Sequence, residues 1–353
     1  MGKTFNIGVI PGDGIGPEVI TQALRVLDVC QELSDVSFDL HMFDLGAERY
    51  LRTGDILPAE SLDQLKTVDA ILLGAVGDPR VKPGILEREL LLRLRFELNL
   101  YVNLRPIQLF EGVQSPLAGK SSAEIDFVVC REGTEGLYAG RGRSEQVETR
   151  NELALEESVN TYQAVERLLR FAFELSMTRD KHLTLIHKTN VLTFAGSLWM
   201  RVFEELAREF PDVSTHYMHV DAASMFFVTR PEEFDVIATD NLFGDILTDL
   251  GAAISGGIGL AASGNINPTR LTPSMFEPIH GSAPDIKGTQ RANPIAAILS
   301  VKMMFEHLGL HDLSELITRS VAKDIKQNFA AARSTSQIAD GIIHHMRGSS
   351  HEN

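Results

Sequence analysis

The chain has 353 residues, of which 44% are hydrophobic and 23% are charged, and its formal net charge at pH 7 is −15. This composition is ordinary for a globular protein and excludes a disordered chain, while the length exceeds the size at which one hydrophobic core stops growing, so we expect two domains. The acidic excess, with no run of Lys or Arg to offset it, argues against a nucleic-acid-binding surface.

Targeting segments and disulfides are not expected. No apolar run reaches membrane-spanning length, and the first predicted strand begins within five residues of the N-terminus, which leaves no room for a signal or transit peptide. We therefore expect a cytoplasmic protein without a membrane partner. Cys30 and Cys130 lie in apolar runs, which predicts two buried thiols rather than a disulfide.

The N-terminal segment predicts a strand, a glycine turn and a helix. Residues 5–10 alternate toward a buried strand, the turn is PGDGIGP (11–17), and apolar residues then recur at helical spacing over 19–27. Such an arrangement can cradle a phosphate. Because the glycines follow G-x-G-x-G rather than G-x-G-x-x-G, we interpret the segment as a tight turn near a ligand and not as a Rossmann fingerprint.

Three arginines each lie at the edge of an apolar element. A second buried strand (68–75) precedes a loop rich in Gly and Pro and a helix predicted over about 86–98, which carries Arg95. Arg105 lies ten residues beyond it, and Arg131 follows the apolar residues of a strand that begins at 127. A lone arginine of this kind is usually in a surface ion pair. Three of them favour a dicarboxylate site, because a guanidinium fork matches a carboxylate.

The middle of the chain offers a candidate arm and a candidate base. Residues 138–157 are polar and strand-like, too short for a domain, and could be an arm exchanged with a partner subunit; a helix is predicted over about 158–176. A strand (183–187) then ends in Lys188, and a further strand (217–220) ends at Asp221. A lysine that faces a pocket can act as a base, although a solvated lysine is the ordinary alternative.

The stretch from 234 to 258 carries the strongest chemical signal. Residues 234–237 predict a short buried strand, and a helical period begins after TDN (239–241). Asp245 and Asp249 are four residues apart, so both carboxylates leave one face of the helix. Carboxylate oxygens are preferred ligands of Mg²⁺ and Mn²⁺. The alternative is a first-turn acid and an exposed acid, but the apolar and glycine-rich surroundings favour a metal site.

The last third of the chain predicts a loop and three helices. The loop FEPIHGSAPDIKG (276–288) is too rich in Gly and Pro for a helix, an apolar helix follows over 295–308, and an amphipathic helix pair closes the chain.

Together these motifs resemble the isocitrate/isopropylmalate family of β-decarboxylating dehydrogenases, over nearly the whole chain from 8 to 300. The specific motifs are LRFELNLYVNLRP (94–106), VVCREGTEGLYAG (128–140), LIHKTNV (185–191), TDNLFGDILTDL (239–250) and EPIHGSAPDI (277–286). The resemblance is closest to members that oxidise and decarboxylate 3-isopropylmalate to 2-oxoisocaproate in leucine biosynthesis. It implies an α/β fold of two domains with a shared central sheet, distinct from the Rossmann fold.

The resemblance also implies the domain boundaries and the assembly. Residues 1–101 and 256–353 would form a first domain with the cofactor-binding loops. Residues 102–255 would form a second domain with the dimer interface and the arm at about 138–157. The active form would be a homodimer, because each site takes Lys188 and Asp221 from the neighbouring subunit.

Catalytic roles follow from the same resemblance. Asp245 and Asp249, with the partner subunit's Asp221, would bind Mg²⁺ or Mn²⁺, and the ion would stabilise negative charge on the substrate oxygens. Lys188 would mediate removal of the hydroxyl proton as hydride passes to NAD. After carbon dioxide leaves, Tyr138 would protonate the enol carbon.

Substrate and cofactor contacts are implied for further positions. The carboxylates of the malate would be bound by Arg95, Arg105 and Arg131. The wall around the isopropyl group would be formed by Glu87, Leu91, Leu92 and Val191. Leucines there disfavour a third carboxylate, because burying a charge against them is costly. Arg88 beside Glu87 is a departure, since an inward turn of this side chain would admit a more polar substituent.

The cofactor implied is NAD. The residues that would contact it are Asn190, Glu277, His280, Gly281, Ser282, Ala283, Asp285, Ile286 and Asn293. A carboxylate at Asp285 would accept from both ribose hydroxyls and repel a 2′-phosphate, which favours NAD over NADP.

Two alternatives remain beside this reading. One is the same chemistry on D-malate, tartrate or a longer alkylmalate. The remote one is a non-catalytic regulatory subunit, against which stands the presence of all five of the residues needed for chemistry, Tyr138, Lys188, Asp221, Asp245 and Asp249.

Overall fold

The computed structural model describes residues 2–349, which divide into two compact units. The first unit comprises the chain up to Leu100, Gln108–Ser122 and the residues from Ala252 onward, and the second comprises Tyr101–Ile107 and Ala123–Gly251. The strands are β1 (Thr4–Gly12), β2 (Ser37–Met42), β3 (Ala70–Ala75), β4 (Val102–Gln108), β5 (Asp126–Glu132), β6 (Gly136–Glu145), β7 (Leu153–Val159), β8 (His182–His187), β9 (Ser214–His219), β10 (Val236–Thr239), β11 (Ala262–Ile266) and β12 (Ser274–Pro278).

Helices follow most of the strands. The α-helices are α1 (Gly16–Glu32), α2 (Ala47–Thr53), α3 (Ala59–Leu65), α4 (Arg93–Glu97), α5 (Tyr162–Ser176), α6 (Thr193–Glu209), α7 (Val220–Thr229), α8 (Asn241–Ile254), α9 (Ile295–Leu308), α10 (His311–Asn328) and α11 (Thr335–Ser349). The shorter elements are a π-helix (Glu87–Leu92) and three 3₁₀ turns (Pro231–Glu233, Ile258–Leu260 and Pro284–Ile286). Nowhere in residues 2–349 does a helix combine the length and apolar character needed to cross a membrane.

Ten strands belong to one large sheet, and β6 and β7 form a separate antiparallel hairpin. In the first unit the strand order is β2-β1-β3-β12-β11, with all neighbours parallel except β11 and β12. Strand β3 is buried at every position, which explains its uninterrupted apolar sequence, because a central parallel strand is covered on both faces. The expected α/β class with a large central sheet is confirmed.

In the second unit the order is β4-β5-β10-β8-β9, and β10 lies parallel to both β5 and β8. Thr239 at the end of β10 pairs in register with Arg131 of β5 and Ile186 of β8. Because the carboxyl ends of parallel strands meet at one edge of the sheet, the residues that follow them are gathered there. That edge positions Arg131, His187 and Asp240.

Most predicted elements are present, with differences at the boundaries. Helix α9 has the predicted limits, and β8 differs by one residue. Helix α5 begins at Tyr162 rather than 158, because the Thr161 side chain caps it by accepting a bond from the Ala164 amide at 3.2 Å. Strand β9 ends at His219, so Asp221 lies in the first turn of α7 rather than at a strand end.

The single helix predicted over 86–98 is in fact two segments. Its first part, Glu87–Leu92, is a π-helix, and only Arg93–Glu97 is α-helical. π-Helical turns are rare and are frequently found at functional sites. Apolar spacing alone does not distinguish the two helix types, so the sequence pattern did not reveal this change.

The two cysteines are buried and unpaired, as expected. Burial raises the pKa of the Cys30 thiol to about 12, and it raises the pKa of Cys130 as well. Neither thiol is therefore a ready nucleophile at neutral pH.

The glycine turn after β1 contacts the loop that follows β12. The Ile15 amide donates to the Ser282 carbonyl at 2.8 Å, and Gly14 has φ +57°. A Cβ at Gly14 would collide with that same carbonyl oxygen. The glycine therefore permits a close backbone approach that supports the predicted cofactor loop.

Replacing Gly14 with alanine should destabilise the protein more than replacing Gly54 does. Both have positive φ, 57° and 74°, so alanine costs about 1 to 2 kcal/mol at either position. At Gly54 the added Cβ meets nothing within 4 Å, whereas at Gly14 it meets the Ser282 backbone. Thermal denaturation should show the larger decrease in Tm for Gly14→Ala. Equal decreases would mean that the turn does not press against Ser282.

Candidate active site

The carboxyl edge of β5 brings a buried arginine against helix α8. Arg131 is 1% exposed, and its Nη1 donates to Oδ1 of Asp245 at 2.5 Å. Its Nε and Nη2 donate to Oδ1 of Asn241 at 2.9 and 2.7 Å. Gly244 lies against this side chain, and a Cβ there would come within 2.5 Å of the Arg131 Cγ. The small residue thus lets the guanidinium reach both polar residues of the helix.

A second buried arginine approaches the same helix from β4. The Nη1 of Arg105 donates to the Thr248 hydroxyl at 2.6 Å, and its guanidinium nitrogens lie 3.9 Å from carboxylate oxygens of Asp245 and Asp249. Two predicted substrate arginines and two predicted metal ligands are therefore gathered along α8.

Tyr138 completes this group. Its hydroxyl donates to Oδ2 of Asp245 at 2.8 Å, and the Arg131 guanidinium lies 5.2 Å from its ring centroid. Burial opposes ionisation of Asp245, but the charge of Arg131, the Tyr138 hydroxyl and Arg105 together outweigh it and lower the pKa of this carboxyl. Asp245 is a carboxylate at neutral pH.

The α8 carboxylates are accessible enough to bind a cation. The Asp245 side chain is 41% exposed and that of Asp249 is 70% exposed. Within residues 2–349, no three His, Cys, Asp or Glu side chains are arranged to hold a metal ion. Asp221 therefore does not join Asp245 and Asp249 in one chain, and hard oxygen ligands from α8 form an incomplete set by themselves.

The predicted base lies with Asp221 instead. Lys188 Nζ donates to Oδ1 of Asp221 at 2.6 Å, where the lysine side chain is 24% exposed and the aspartate 68%. The hydrogen bond from Lys188 lowers the pKa of Asp221 and holds it as a carboxylate. Asn190 and Val191 follow in the same loop, and both are exposed, Val191 by 65%.

In the first unit, Arg95 lies beside a residue of the predicted cofactor loop. Its Nη2 donates to Oε1 of Glu277 at 3.4 Å, and the same oxygen accepts from Asn265 Nδ2 at 2.7 Å. The Nε of Arg95 is buried without a hydrogen-bond partner among the described residues. Part of this guanidinium therefore remains available to a ligand.

The rest of the predicted cofactor loop combines buried and exposed groups. His280 is buried, burial lowers the pKa of its ring, and its Nε2 has no hydrogen-bond partner in the described chain. Ser282 is buried and makes the contact with Ile15 given above, Gly281 and Asp285 are exposed, and Ala283 and Ile286 are half-buried. Asn293 lies just before α9 and accepts from the Ile295 amide at 3.0 Å.

The predicted apolar wall lies on the π-helix and is only partly apolar at its surface. Leu91 and Leu92 are half-buried, and Glu87 is exposed and accepts a bond from the Gly84 amide at 2.9 Å. Arg88 is exposed. Leu91 also packs against the hydrophobic core, so part of its surface is buried and part remains accessible.

Three polar residues that support the arginines were not predicted. Asn241 and Thr248 accept from Arg131 and Arg105, and Asn265 shares Glu277 with Arg95. A signal for the first two was present, because Asn241, Asp245 and Thr248 have the i, i+4, i+7 spacing of one helix face. No comparable spacing marks Asn265, which lies on a different strand.

A buried histidine and aspartate occupy the ends of β8 and β10. His187 is fully buried, burial lowers its pKa to about 4, and its Nε2 lies 3.7 Å from Oδ2 of Asp240. Oδ1 of Asp240 accepts from the Phe243 amide at 2.7 Å and so caps α8. Burial raises the pKa of Asp240 to about 6, against the charge of Arg131.

Comparisons with known proteins place the chain among dehydrogenases. A family model described as isocitrate/isopropylmalate dehydrogenase matches residues 6–342. A 3-isopropylmalate dehydrogenase of Leifsonia xyli is 57% identical over 97% of this chain and 98% of its own length. One of Thermobifida fusca is 55% identical over 96% and 97%. The crystal structure of isocitrate dehydrogenase from Methylococcus capsulatus superposes with a TM-score of 0.87 at 35% identity, over 97% of this chain and 99% of that one.

Replacing Asp240 with asparagine should stabilise the protein in a pH-dependent way. Burial raises the pKa of Asp240 from its ordinary value of 3.8 to about 6 in the folded protein, so stability that is present below about pH 4 is lost as the pH rises through 6. Asparagine keeps an oxygen for the Phe243 amide and avoids the buried charge. The gain over wild type should approach about 2 to 3 kcal/mol at pH 7.5 as an upper bound and largely vanish at pH 4.

Melting temperatures at the two pH values, without metal, measure this difference. The control is Asp249→Asn, which removes a 70% exposed carboxylate from the same helix and should give no comparable gain. A gain for Asp240→Asn that is the same at both pH values would contradict the prediction.

Proposed function

The chain belongs to the isocitrate/isopropylmalate dehydrogenase family, and on this premise we propose that it oxidises and decarboxylates 3-isopropylmalate with NAD and a divalent ion. The product is 2-oxoisocaproate, in leucine biosynthesis. The observation that carries the proposal is the gathering of Arg105, Arg131, Tyr138 and Asp245 along one helix, where charge and proton donors face the same carboxylate-binding region.

The choice of substrate rests on identity and on the apolar wall. Relatives named 3-isopropylmalate dehydrogenase are 54–57% identical, whereas the isocitrate dehydrogenase structure is 35% identical. Leu91 and Leu92 offer no partner to a third carboxylate, so they favour an alkyl substituent. Arg88 is exposed, so it does not provide the inward-facing charge that a more polar substituent on the substrate would need.

Two kinds of arginine would bind the malate carboxylates. Arg105 and Arg131 are buried and oriented by Thr248 and Asn241, so little side-chain freedom is lost on binding. Arg95 has the partnerless Nε described above, which a substrate oxygen can satisfy. Bidentate pairing with arginine fits a dicarboxylate better than a lysine would.

The donor set fits a hard divalent cation. Asp245 is held as a carboxylate and Asp249 is exposed, and both supply oxygen ligands that Mg²⁺ and Mn²⁺ prefer. The third carboxylate would be the partner subunit's Asp221. When bound, the ion would supply positive charge beside the hydroxyl and α-carboxylate oxygens of the substrate.

Lys188 would remove the proton of the substrate hydroxyl during the oxidation, for which NAD, when bound, would supply the hydride acceptor. Its Nζ lies 2.6 Å from Oδ1 of Asp221, the residue proposed as the third metal ligand, so one copy of the chain would deliver both side chains to the same site.

Tyr138 would return a proton after carbon dioxide leaves. The carbon–carbon bond to the β-carboxylate breaks, its electron pair passes to the neighbouring carbon, and the Tyr138 hydroxyl protonates that carbon. The proton taken from the hydroxyl and the proton given to carbon balance, so the dianion and NAD⁺ yield 2-oxoisocaproate, carbon dioxide and NADH. The hydrogen bond to Asp245 orients the Tyr138 hydroxyl for this step.

NAD would bind to the first unit. The His280 Nε2 without a partner and the exposed Asp285 fit an adenosine moiety, because one ring nitrogen and one carboxylate remain free to bond. Asp285 would favour the ribose hydroxyls over a 2′-phosphate. The buried reduced cysteines are compatible with the cytoplasmic location that we propose.

The working form would be a homodimer. Large apolar side chains of the second unit are exposed, with Phe194 at 95%, Met225 at 63% and Ile246 at 57%. They lie on the helices that follow Lys188, carry Asp221 and carry Asp245. Exposure of several large apolar side chains near one set of functional residues is typical of a surface covered by a second copy.

A substrate panel that follows NADH formation tests the proposed reaction. With Mg²⁺ or Mn²⁺ and NAD, turnover on 3-isopropylmalate should exceed that on D-malate, tartrate and isocitrate by at least tenfold in kcat/KM, because the apolar wall binds only the alkyl group. Excess EDTA should abolish turnover, and added Mn²⁺ should restore it, because the ion stabilises negative charge in the reaction.

A preference for D-malate or tartrate would contradict the assigned substrate while leaving the chemistry intact. Full turnover in EDTA would contradict the metal site. No turnover on any member of the panel by a folded protein would favour the non-catalytic alternative. NADP in place of NAD serves as the cofactor control and should give much lower kcat/KM.

Mixing two inactive variants tests whether the sites are shared between subunits. Lys188→Ala and Asp245→Asn should each inactivate the homodimer. If each site combines Lys188 of one copy with Asp245 of the other, mixed dimers contain one intact site, and co-expression should restore about one quarter of wild-type activity by random pairing.

If both residues served the same chain's site, every mixed dimer would have two damaged sites, and activity would stay absent. The control mixes Lys188→Ala with Asp221→Asn, two residues that the proposal assigns to the same copy, and this mixture should remain inactive. Activity in the control at the level of the test mixture would contradict the assignment.

A further inference from the structure

His187 and Asp240 are buried polar residues to which the proposed reaction gives no role. They lie next to each other at the carboxyl edge of the sheet, one residue past the registered pair of Ile186 and Thr239. The Thr239 hydroxyl donates to the Ile186 carbonyl at 2.8 Å and ties the two strands together at this point. The next residue on each strand therefore faces its neighbour across a fixed spacing.

The His187 ring is fully buried, but its polar atoms lack hydrogen-bond partners among the described residues. Trp199 and Phe243 lie at ring-centroid distances of 5.7 Å on two sides, and neither ring nitrogen of His187 has a hydrogen-bond partner in the described part of the chain. Trp199 cannot help, because its own Nε1 donates to Asn160 at 2.9 Å. Oδ2 of Asp240 lies 3.7 Å from the His187 Nε2. A buried imidazole must carry an N–H, so a group remains to be paired.

The distance of 3.7 Å between Nε2 of His187 and Oδ2 of Asp240 is only slightly longer than a hydrogen bond. A normal N–H···O distance is about 2.9 Å, so a movement of less than about 1 Å closes it. Hydrogen bonds at catalytic sites are often long in the free protein and shorten when ligands bind. Asp240 already holds Phe243 through its other oxygen, so Oδ2 is the oxygen that faces the ring.

His187 and Asp240 each lie next to an element that carries residues of the proposed reaction. His187 immediately precedes Lys188 on β8, and Asp240 caps α8, which carries Asp245 and Asp249. A bond between them would fix the start of the carboxylate helix relative to the strand that ends in the base. Packing alone does not need a polar residue here, since a phenylalanine would fill the same space.

We propose that His187 and Asp240 are a positioning pair: the His187 Nε2–H donates to Asp240 Oδ2 in the ligand-bound protein and fixes α8 relative to the Lys188 strand. The inference rests on the proposed function, because within one chain the pair links the α8 carboxylates of one shared site to the Lys188 that serves the other. The charged groups that face Asp240 are Arg131 and Glu132, whose opposite charges partly offset one another.

The test compares two substitutions of His187. His187→Phe keeps the aromatic packing on Trp199 and Phe243 but removes the N–H, whereas His187→Gln keeps a donor near the Nε2 position. The matched control is His307→Phe, which deletes another imidazole whose pKa burial lowers to about 4, on α9 and packed 5.7 Å from Phe276. This control should leave both measured quantities unchanged.

Two quantities are measured: kcat with 3-isopropylmalate, and the dissociation constant of Mn²⁺ in the presence of that substrate without NAD, by the paramagnetic resonance of free Mn²⁺. His187→Phe should lower kcat about tenfold and weaken Mn²⁺ about fivefold with little change in the KM for NAD, and His187→Gln should recover both to within about threefold. Changes of less than threefold in both quantities for His187→Phe, or no recovery in His187→Gln, would overturn the proposal.

A second variant keeps the test decisive if His187→Phe does not fold. Asp240→Ser retains a capping oxygen for α8 but removes the second oxygen, which faces His187, so kcat should fall at least threefold. An unchanged kcat overturns the pair. If wild type itself neither turns over nor binds Mn²⁺, the proposed function fails; if wild type does both and the variants match it, only the positioning pair fails.

Discussion

The carboxylate of Asp245 is the group on which the rest of the site depends. It accepts from Arg131 at one oxygen and from Tyr138 at the other, while Arg105 stands 3.9 Å away. A carboxylate that is partly desolvated would normally be driven toward its neutral form, but this concentration of positive charge and donors keeps it ionised. One ionised side chain thereby orients an acid and two cationic groups around a common point.

Helix α8 can serve this purpose because of how it begins. It starts directly after β10, at the edge where neighbouring parallel strands also end, so side chains from β5 and β8 reach its first turns. Asn241, Asp245 and Thr248 share one face and receive the arginines, and Gly244 leaves room for Arg131. The cap by Asp240 satisfies an amide that would otherwise be unpaired at the helix start.

The separation of the predicted metal ligands is informative in its own right. Asp221 pairs with Lys188 rather than with Asp245 and Asp249, and no three-ligand cluster exists within residues 2–349. Asp245 and Asp249 on α8 form an incomplete set of metal ligands, and so does Asp221 beside Lys188. The exposed Phe194 lies in the same part of the chain as Lys188. We propose that a second copy of the chain completes both sets.

Sequence by itself determined the elements whose chemistry is local. An unbroken apolar run marked β3 and a predominantly apolar segment marked α9. The four-residue spacing of Asp245 and Asp249 placed both on one helix face, and apolar surroundings identified both cysteines as buried thiols. The family, the α/β class and the dehydrogenase activity also followed from motifs within the chain. The roles assigned to individual site residues stay predictions.

Tertiary structure alone decided which distant residues contact each other and where one helix changes type. The π-helical turn at Glu87–Leu92, the pairing of Lys188 with Asp221 and the approach of His187 to Asp240 involve no local signal. Periodicity reports which face of an element is apolar, but it carries no information on which strand lies beside which, or on how far a buried ring stays from the nearest acceptor. Those distances are set by strand register and packing, because both bring together residues that are dozens of positions apart in the chain.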